Sequence, residues 1–106
     1  MSFTDLADLT AREIVPGFYG KFVHSDHMTI AFWEIDAGAV LPDHAHRHEQ
    51  VTTVLEGRFE LTVAGETRLV EPGGVAVIPG DVRHSGRAIT PCRVLDAFYP
   101  CRETYK

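Results

Sequence analysis

Apolar and polar positions alternate along this chain in short runs, and turn residues interrupt the runs at close spacing. Such period-two alternation puts successive side chains on opposite faces of a strand. It predicts strands over Phe18–Val23, Met28–Ile35, Gln50–Leu55, Arg58–Val63, Thr67–Val70, Val75–Ile78, Ser85–Ile89 and Arg93–Phe98. Ala64-Gly65-Glu66 reads as a hairpin turn joining two of these segments. Glu71-Pro-Gly-Gly74 and Pro79-Gly-Asp81 bracket a fully apolar Val-Ala-Val-Ile, which suits a buried strand. Helical signals are confined to the start: Thr4 can cap a short turn through Asp5-Leu-Ala-Asp8, and Pro16-Gly17 ends any helix there. Many short strands at this spacing predict an all-β sandwich or barrel.

Composition narrows the class. A chain of 106 residues is expected to form one domain, large enough for a core yet near the size at which dimerisation helps. The formal net charge of −5, with only two lysines and no basic cluster, argues against nucleic acid as a partner. No apolar run approaches the ~20 residues needed to span a bilayer. No signal peptide is read in Met-Ser-Phe-Thr-Asp, so a cytoplasmic location is expected. Cys92 and Cys101 are too few for a disulfide scaffold and read as reduced, partly buried thiols.

The chemistry concentrates in His44-Ala-His46-Arg-His48-Glu-Gln50, opened by Gly38 and closed by Gly57. In an extended segment His44 and His46 leave the same face, and two converging imidazoles are half of a metal's ligand shell. A third imidazole follows in Pro79-Gly-Asp-Val-Arg-His84. These residues predict one divalent metal ion inside a β-barrel. His48 shares their parity but reads as a rim residue, and His24 and His27 as solvated turn residues.

Gly38-x5-His44-x-His46-x3-Gln50-x6-Gly57 resembles the first cupin motif, in which Glu usually stands where Gln50 does. Gly73-x5-Pro79-x-Asp81-x2-His84 resembles the second, with Asp81 in place of its Gly and Ala88 in place of its Asn. The resemblance implies a single-domain cupin over 1–106, a double-stranded β-helix or jelly-roll barrel, with the barrel core at about 28–100 and a short N-terminal extension. It also implies that Gln50 joins His44, His46 and His84 as a metal ligand. All four are neutral donors, so a bound divalent ion keeps its full charge as a Lewis acid. Loss of the carboxylate tilts the reading away from oxygen chemistry. Zn, Ni, Mn, Co and Fe(II) all suit such a set.

The last strand and tail read Arg93-Val-Leu-Asp96-Ala-Phe98-Tyr-Pro-Cys-Arg102-Glu. Asp96 and Phe98 share one face. In a metal pocket, a carboxylate that is not a ligand is a candidate proton carrier. Phe98 offers a flat apolar surface for a sugar ring, and Arg102 a bidentate fork for a carboxylate.

Taken together, HAHRHEQ, IPGDVRH and LDAFYPCRE are similar to the small cupins of the pectin-degradation family, over about Gly38 to Glu103. The resemblance implies linearisation of cyclic 4,5-unsaturated monouronates, from pectin or alginate, to 5-keto-4-deoxyuronate. It makes Asp96 and Arg102 catalytic and Phe98 and Arg102 substrate-binding. Two rivals remain at this point: a non-haem Fe or Mn dioxygenase-type cupin, and a non-catalytic cupin binding a sugar or metal. Met28-Thr-Ile-Ala-Phe-Trp33 carries large residues on both faces, so a second subunit can cover it, and a homodimer is expected.

Overall fold

The computed structural model describes residues 2–106. Ten strands follow a 3-10 turn at Leu6–Asp8. They are β1 (Arg12–Val15), β2 (Phe18–His24), β3 (Thr29–Ile35), β4 (Val40–His44), β5 (Glu49–Glu56), β6 (Phe59–Val63), β7 (Glu66–Val70), β8 (Val75–Ile78), β9 (His84–Ala88) and β10 (Cys92–Tyr99). All pairings are antiparallel. A six-stranded sheet runs β1-β2-β3-β10-β5-β8, and a four-stranded sheet runs β4-β9-β6-β7. This is the all-β architecture expected from the pattern.

The core lies between the sheets, built from the inward parity of each strand. Ala31, Trp33 and Ile35 of β3, Val94 and Phe98 of β10 and Val54 of β5 meet Phe59 and Leu61 of β6 and Ala88 of β9. Phe18 sits edge-on to Trp33 and to Phe59, at centroid distances of 6.1 and 6.4 Å, and so links the two sheets. Edge-to-face pairs of this kind add to what area burial contributes.

Several elements differ from the sequence reading. Asp5 rather than Thr4 caps the first turn, accepting the Ala7 amide at 3.0 Å. β1 and β4 were not among the expected strands: β1 is short, with two of its four residues exposed and none buried, and Pro42 interrupts the pattern of β4. Val75 and Val77 are 59% and 64% exposed, which corrects the expectation of a buried strand. β8 is the sheet edge, paired only with β5, and only Ile78 of its four residues is buried. An apolar run has the same appearance in sequence whether both of its faces are covered or one.

Turn chemistry is well specified. Ala64 and Gly65 both take positive φ, 49° and 82°, the type I′ geometry that suits a two-residue hairpin. Gly57, at φ +85°, turns β5 into β6, and a Cβ there would lie 2.2 Å from the Pro91 carbonyl oxygen. Gly57→Ala is therefore expected to destabilise the fold by about 1–3 kcal/mol from backbone strain alone, with the clash added to that. A urea unfolding midpoint equal to that of the parent chain would show that this turn can relax.

Candidate functional site

Register assembles the site. His44 on β4 stands opposite His84 on β9. On the other sheet, β10 pairs with β5 so that Phe98 faces Gln50 and Asp96 faces Thr52. β4 ends at His44, and His46 follows in the loop before β5, so strand parity alone does not bring the two imidazoles together. The loop does so: ligand atoms of His44, His46 and His84 all lie within 4.8 Å of one another. His84 is 1% exposed, while His44 and His46 are half-buried at the mouth.

Each of the three rings is oriented by a backbone carbonyl. Nδ1 of His44 lies 2.8 Å from the Pro42 oxygen, Nδ1 of His46 3.0 Å from His48, and Nδ1 of His84 2.9 Å from Val82. A carbonyl only accepts, so each Nδ1 carries the proton and each Nε2 presents a lone pair. Nε2 of His84 is buried with no hydrogen-bond partner. Burial first, then the charge of Arg102 and the neighbouring His84, lowers the His46 pKa to about 4. Burial also lowers that of His84. Both rings are thus neutral at pH 7, the form that binds a metal.

Gln50 completes the set. Its Nε2 donates to Thr52 Oγ1 at 2.9 Å, and Thr52 in turn donates to Asp96 Oδ1 at 2.6 Å. That chain fixes the amide with Oε1 towards the histidines, 3.1 Å from His46 Nε2. With His46 protonated on Nδ1, no proton lies between these two atoms. Two facing acceptors and an orphaned third call for a cation among them. The donor set therefore fits one divalent transition ion held by His44, His46, His84 and Gln50.

Asp96 is buried beside this cluster. Its Oδ2 accepts the indole N–H of Trp33 at 2.9 Å, and Oδ1 accepts from Thr52. Burial raises its pKa above the ordinary carboxylate value; the Thr52, Gln50 and Trp33 bonds and the Arg102 charge oppose the rise. Asp96, Gln50, Thr52 and His84 line one interior cavity of about 40 Å³, room for a water or a small substituent.

Phe98 departs from expectation. The ring is 2% exposed, and the Arg102 guanidinium lies over it, 4.9 Å from its centroid. No face is open to a sugar, which corrects the stacking role read from the sequence. His48 stays outside the three-histidine group, with Nε2 3.1 Å from the Cys101 carbonyl oxygen. His24 is not solvated: it is half-buried between Thr29 and the Tyr105 carbonyl, whereas His27 is exposed. Both cysteines are free and buried. The sequence reading missed Thr52 and Trp33. Thr52 carried a usable signal, since it lies two residues from Gln50 on the same strand face.

Two sheets closed over inward-facing histidines define a cupin. The chain belongs to the cupin-domain family, whose model matches residues 31–98. Among solved structures it is similar to KdgF from Halomonas sp., with 30% identity and a TM-score of 0.94 over 100% of this chain and 99% of that one. An RmlC-like cupin from Shewanella frigidimarina NCIMB 400 is 27% identical, with a TM-score of 0.94 over 100% of this chain and 96% of the other. An uncharacterised protein of Streptomyces coelicolor is 33% identical over 85 residues, 79% of this chain and 81% of its own length. No helix among the described residues is long and apolar enough to cross a membrane.

Proposed function

We propose that this cupin opens the ring of cyclic 4,5-unsaturated monouronates and delivers the linear 5-keto-4-deoxyuronate. The observation that carries the reading is a buried carboxyl outside the histidine cluster, Asp96, linked through Thr52 to the Gln50 amide that faces it. The tail motif shared with the pectin-degradation cupins and the whole-chain likeness to KdgF support it.

The substrate is a hemiacetal whose ring oxygen is also an enol-ether oxygen. Taking the proton of the anomeric hydroxyl forms the aldehyde and breaks the bond from carbon 1 to the ring oxygen. The electron pair of that bond leaves an enolate at carbon 5. A proton added at carbon 4 then gives the 5-keto product, with no change in oxidation state or mass. A bound divalent ion supplies positive charge against the negative charge that develops on the ring oxygen.

Asp96 takes the first proton and returns it at carbon 4. Its raised pKa suits this double duty, since a carboxyl with an ordinary pKa holds a proton poorly near neutrality. Trp33 and Thr52 hold both of its oxygens in place. Arg102, supported by Phe98, binds the substrate carboxylate. Mass spectrometry of the product tests the reaction type. A product of the same mass as the substrate is expected, and gain of two oxygen atoms would instead mark a dioxygenase.

We also propose a homodimer. Alternate residues of the six-stranded sheet point outward, and Leu55, Val75, Val77 and Tyr99 are 47–64% exposed there. Val77 is paired across the strands with the outward-facing Val51, and Ala97 with Val51 and Ile30, so the strip is continuous. A second copy of the chain is expected to cover it. Light scattering is expected to report twice the 11.8 kDa chain mass, with Val77→Lys shifting the mass towards the monomer. A monomeric parent chain at tens of micromolar contradicts this.

A further inference from the structure

The guanidinium of Arg102 sits in the corner between two aromatic rings. Its carbon lies 4.9 Å from the Phe98 centroid and 4.4 Å from that of Tyr105, and the two rings meet at 72° with centroids 5.8 Å apart. Among the described residues it forms no ion pair. Its hydrogen bonds there are all backbone ones: its amide donates to Thr29 Oγ1 at 2.9 Å, and its carbonyl accepts from the Tyr105 amide at 3.0 Å. Its side-chain N–H groups are what remains for a ligand, and their fork matches a carboxylate.

Tyr105 is itself firmly held. Its ring stacks on Phe22 at 4.5 Å and meets Trp33 edge-on at 5.8 Å. Its carbonyl accepts from the Arg12 guanidinium at 2.9 Å and lies 3.3 Å from His24 Nε2. The Tyr105 carbonyl only accepts, so Nε2 of His24 carries the proton that it receives. Nδ1 of His24 then accepts from Thr29 Oγ1, 2.8 Å away, a tautomer assigned from its partners. Residues from β1, β2 and β3 thus tie the tail down over the site.

We propose that Tyr105 is a positioning residue, whose ring forms with Phe98 the corner that holds the Arg102 guanidinium in place for the carboxylate of the bound uronate. The inference rests on the uronate reading of this pocket. It acts on substrate placement and not on the chemical step, so it raises affinity in ground and transition state alike.

The test uses the full-length, metal-loaded protein with Tyr105→Leu and Tyr105→Phe. Ring currents from the two aromatics whose faces it lies over displace the Arg102 side-chain protons upfield, a signature readable by NMR without any turnover. In Tyr105→Leu the displacement is expected to shrink, and KM for 4,5-unsaturated galacturonate to rise about tenfold with kcat little changed. Tyr105→Phe retains the ring and is expected to match the parent in both. A Leu variant with parental KM, a loss confined to kcat, or a Phe variant as impaired as Leu would each overturn the proposal.

Saturated galacturonate serves as a probe that needs no turnover. If the parent protein binds it but does not turn over the unsaturated sugar, the isomerase reading falls. Tyr105 is then judged by binding alone: tenfold weaker galacturonate in the Leu variant supports the positioning role, and equal affinity overturns it. Tyr105→Met, which keeps apolar volume without a ring, is read in the same way if the Leu variant does not fold.

Discussion

Asp96→Asn is expected to lower turnover of a 4,5-unsaturated uronate by about 10²–10⁴-fold, the range typical of a lost general acid–base group. Metal content should stay at the parental level, because Asp96 touches the cluster only through Thr52 and Gln50. The substitution is nearly isosteric, and the new amide oxygen can still accept the Trp33 indole proton. Stability follows from the sign of the pKa shift. Asp96 is raised in the folded state, so the folded chain holds this proton more tightly than the unfolded chain does. The stability this provides is present at low pH and is lost as pH climbs through the folded value. Replacing the charge with a neutral amide removes that loss. The variant should therefore melt at or above the parental temperature at pH 7 or higher, and fall no further behind as pH rises. Full activity in this variant removes Asp96 from the mechanism.

His84→Ala carries the second large effect. His84 is the most deeply buried of the three imidazoles, and its Nε2 has no protein partner. Removing it leaves His44, His46 and Gln50, with the pocket open on its inner side. Metal content is expected to fall from one ion per chain to a small fraction of that after dialysis. The parent chain, by contrast, gains stability from added metal by mass action, about 2.7 kcal/mol at a free concentration one hundred times Kd. A melting temperature that climbs with added metal in the parent and stays flat in His84→Ala is the expected pair of results. Equal metal-dependent shifts in both chains would place the ion elsewhere.

Legibility in the sequence followed the physics of each feature. Ligand spacing is strict because an imidazole reaches only so far. Hence His44, His46 and His84 could be singled out before any coordinates, with Gln50 added by the cupin resemblance, and the structure brings the four together. Central strands were legible for a related reason: β3, β5 and β10 each bury one face, so their alternation is clean. Features set by cross-strand register were not. The contact of Asp96 with Trp33 spans 63 residues of sequence, and nothing local in either strand announces it. Phe98 was given a free face because sequence cannot show that Arg102 and Tyr105 crowd over it. The C-terminal tail has no periodicity to read, so the role of Tyr105 emerged only from its contacts.

One measurement tests the central claim most directly. Metal-quantified protein is mixed with 4,5-unsaturated galacturonate in air and under anaerobic conditions, and loss of the substrate's ultraviolet absorbance is compared with the slow spontaneous reaction. The expected result is acceleration that is the same with and without oxygen, disappears on chelation and returns when metal is restored. No acceleration with one ion bound per chain, or acceleration only in the presence of oxygen, would contradict ring opening by this cupin.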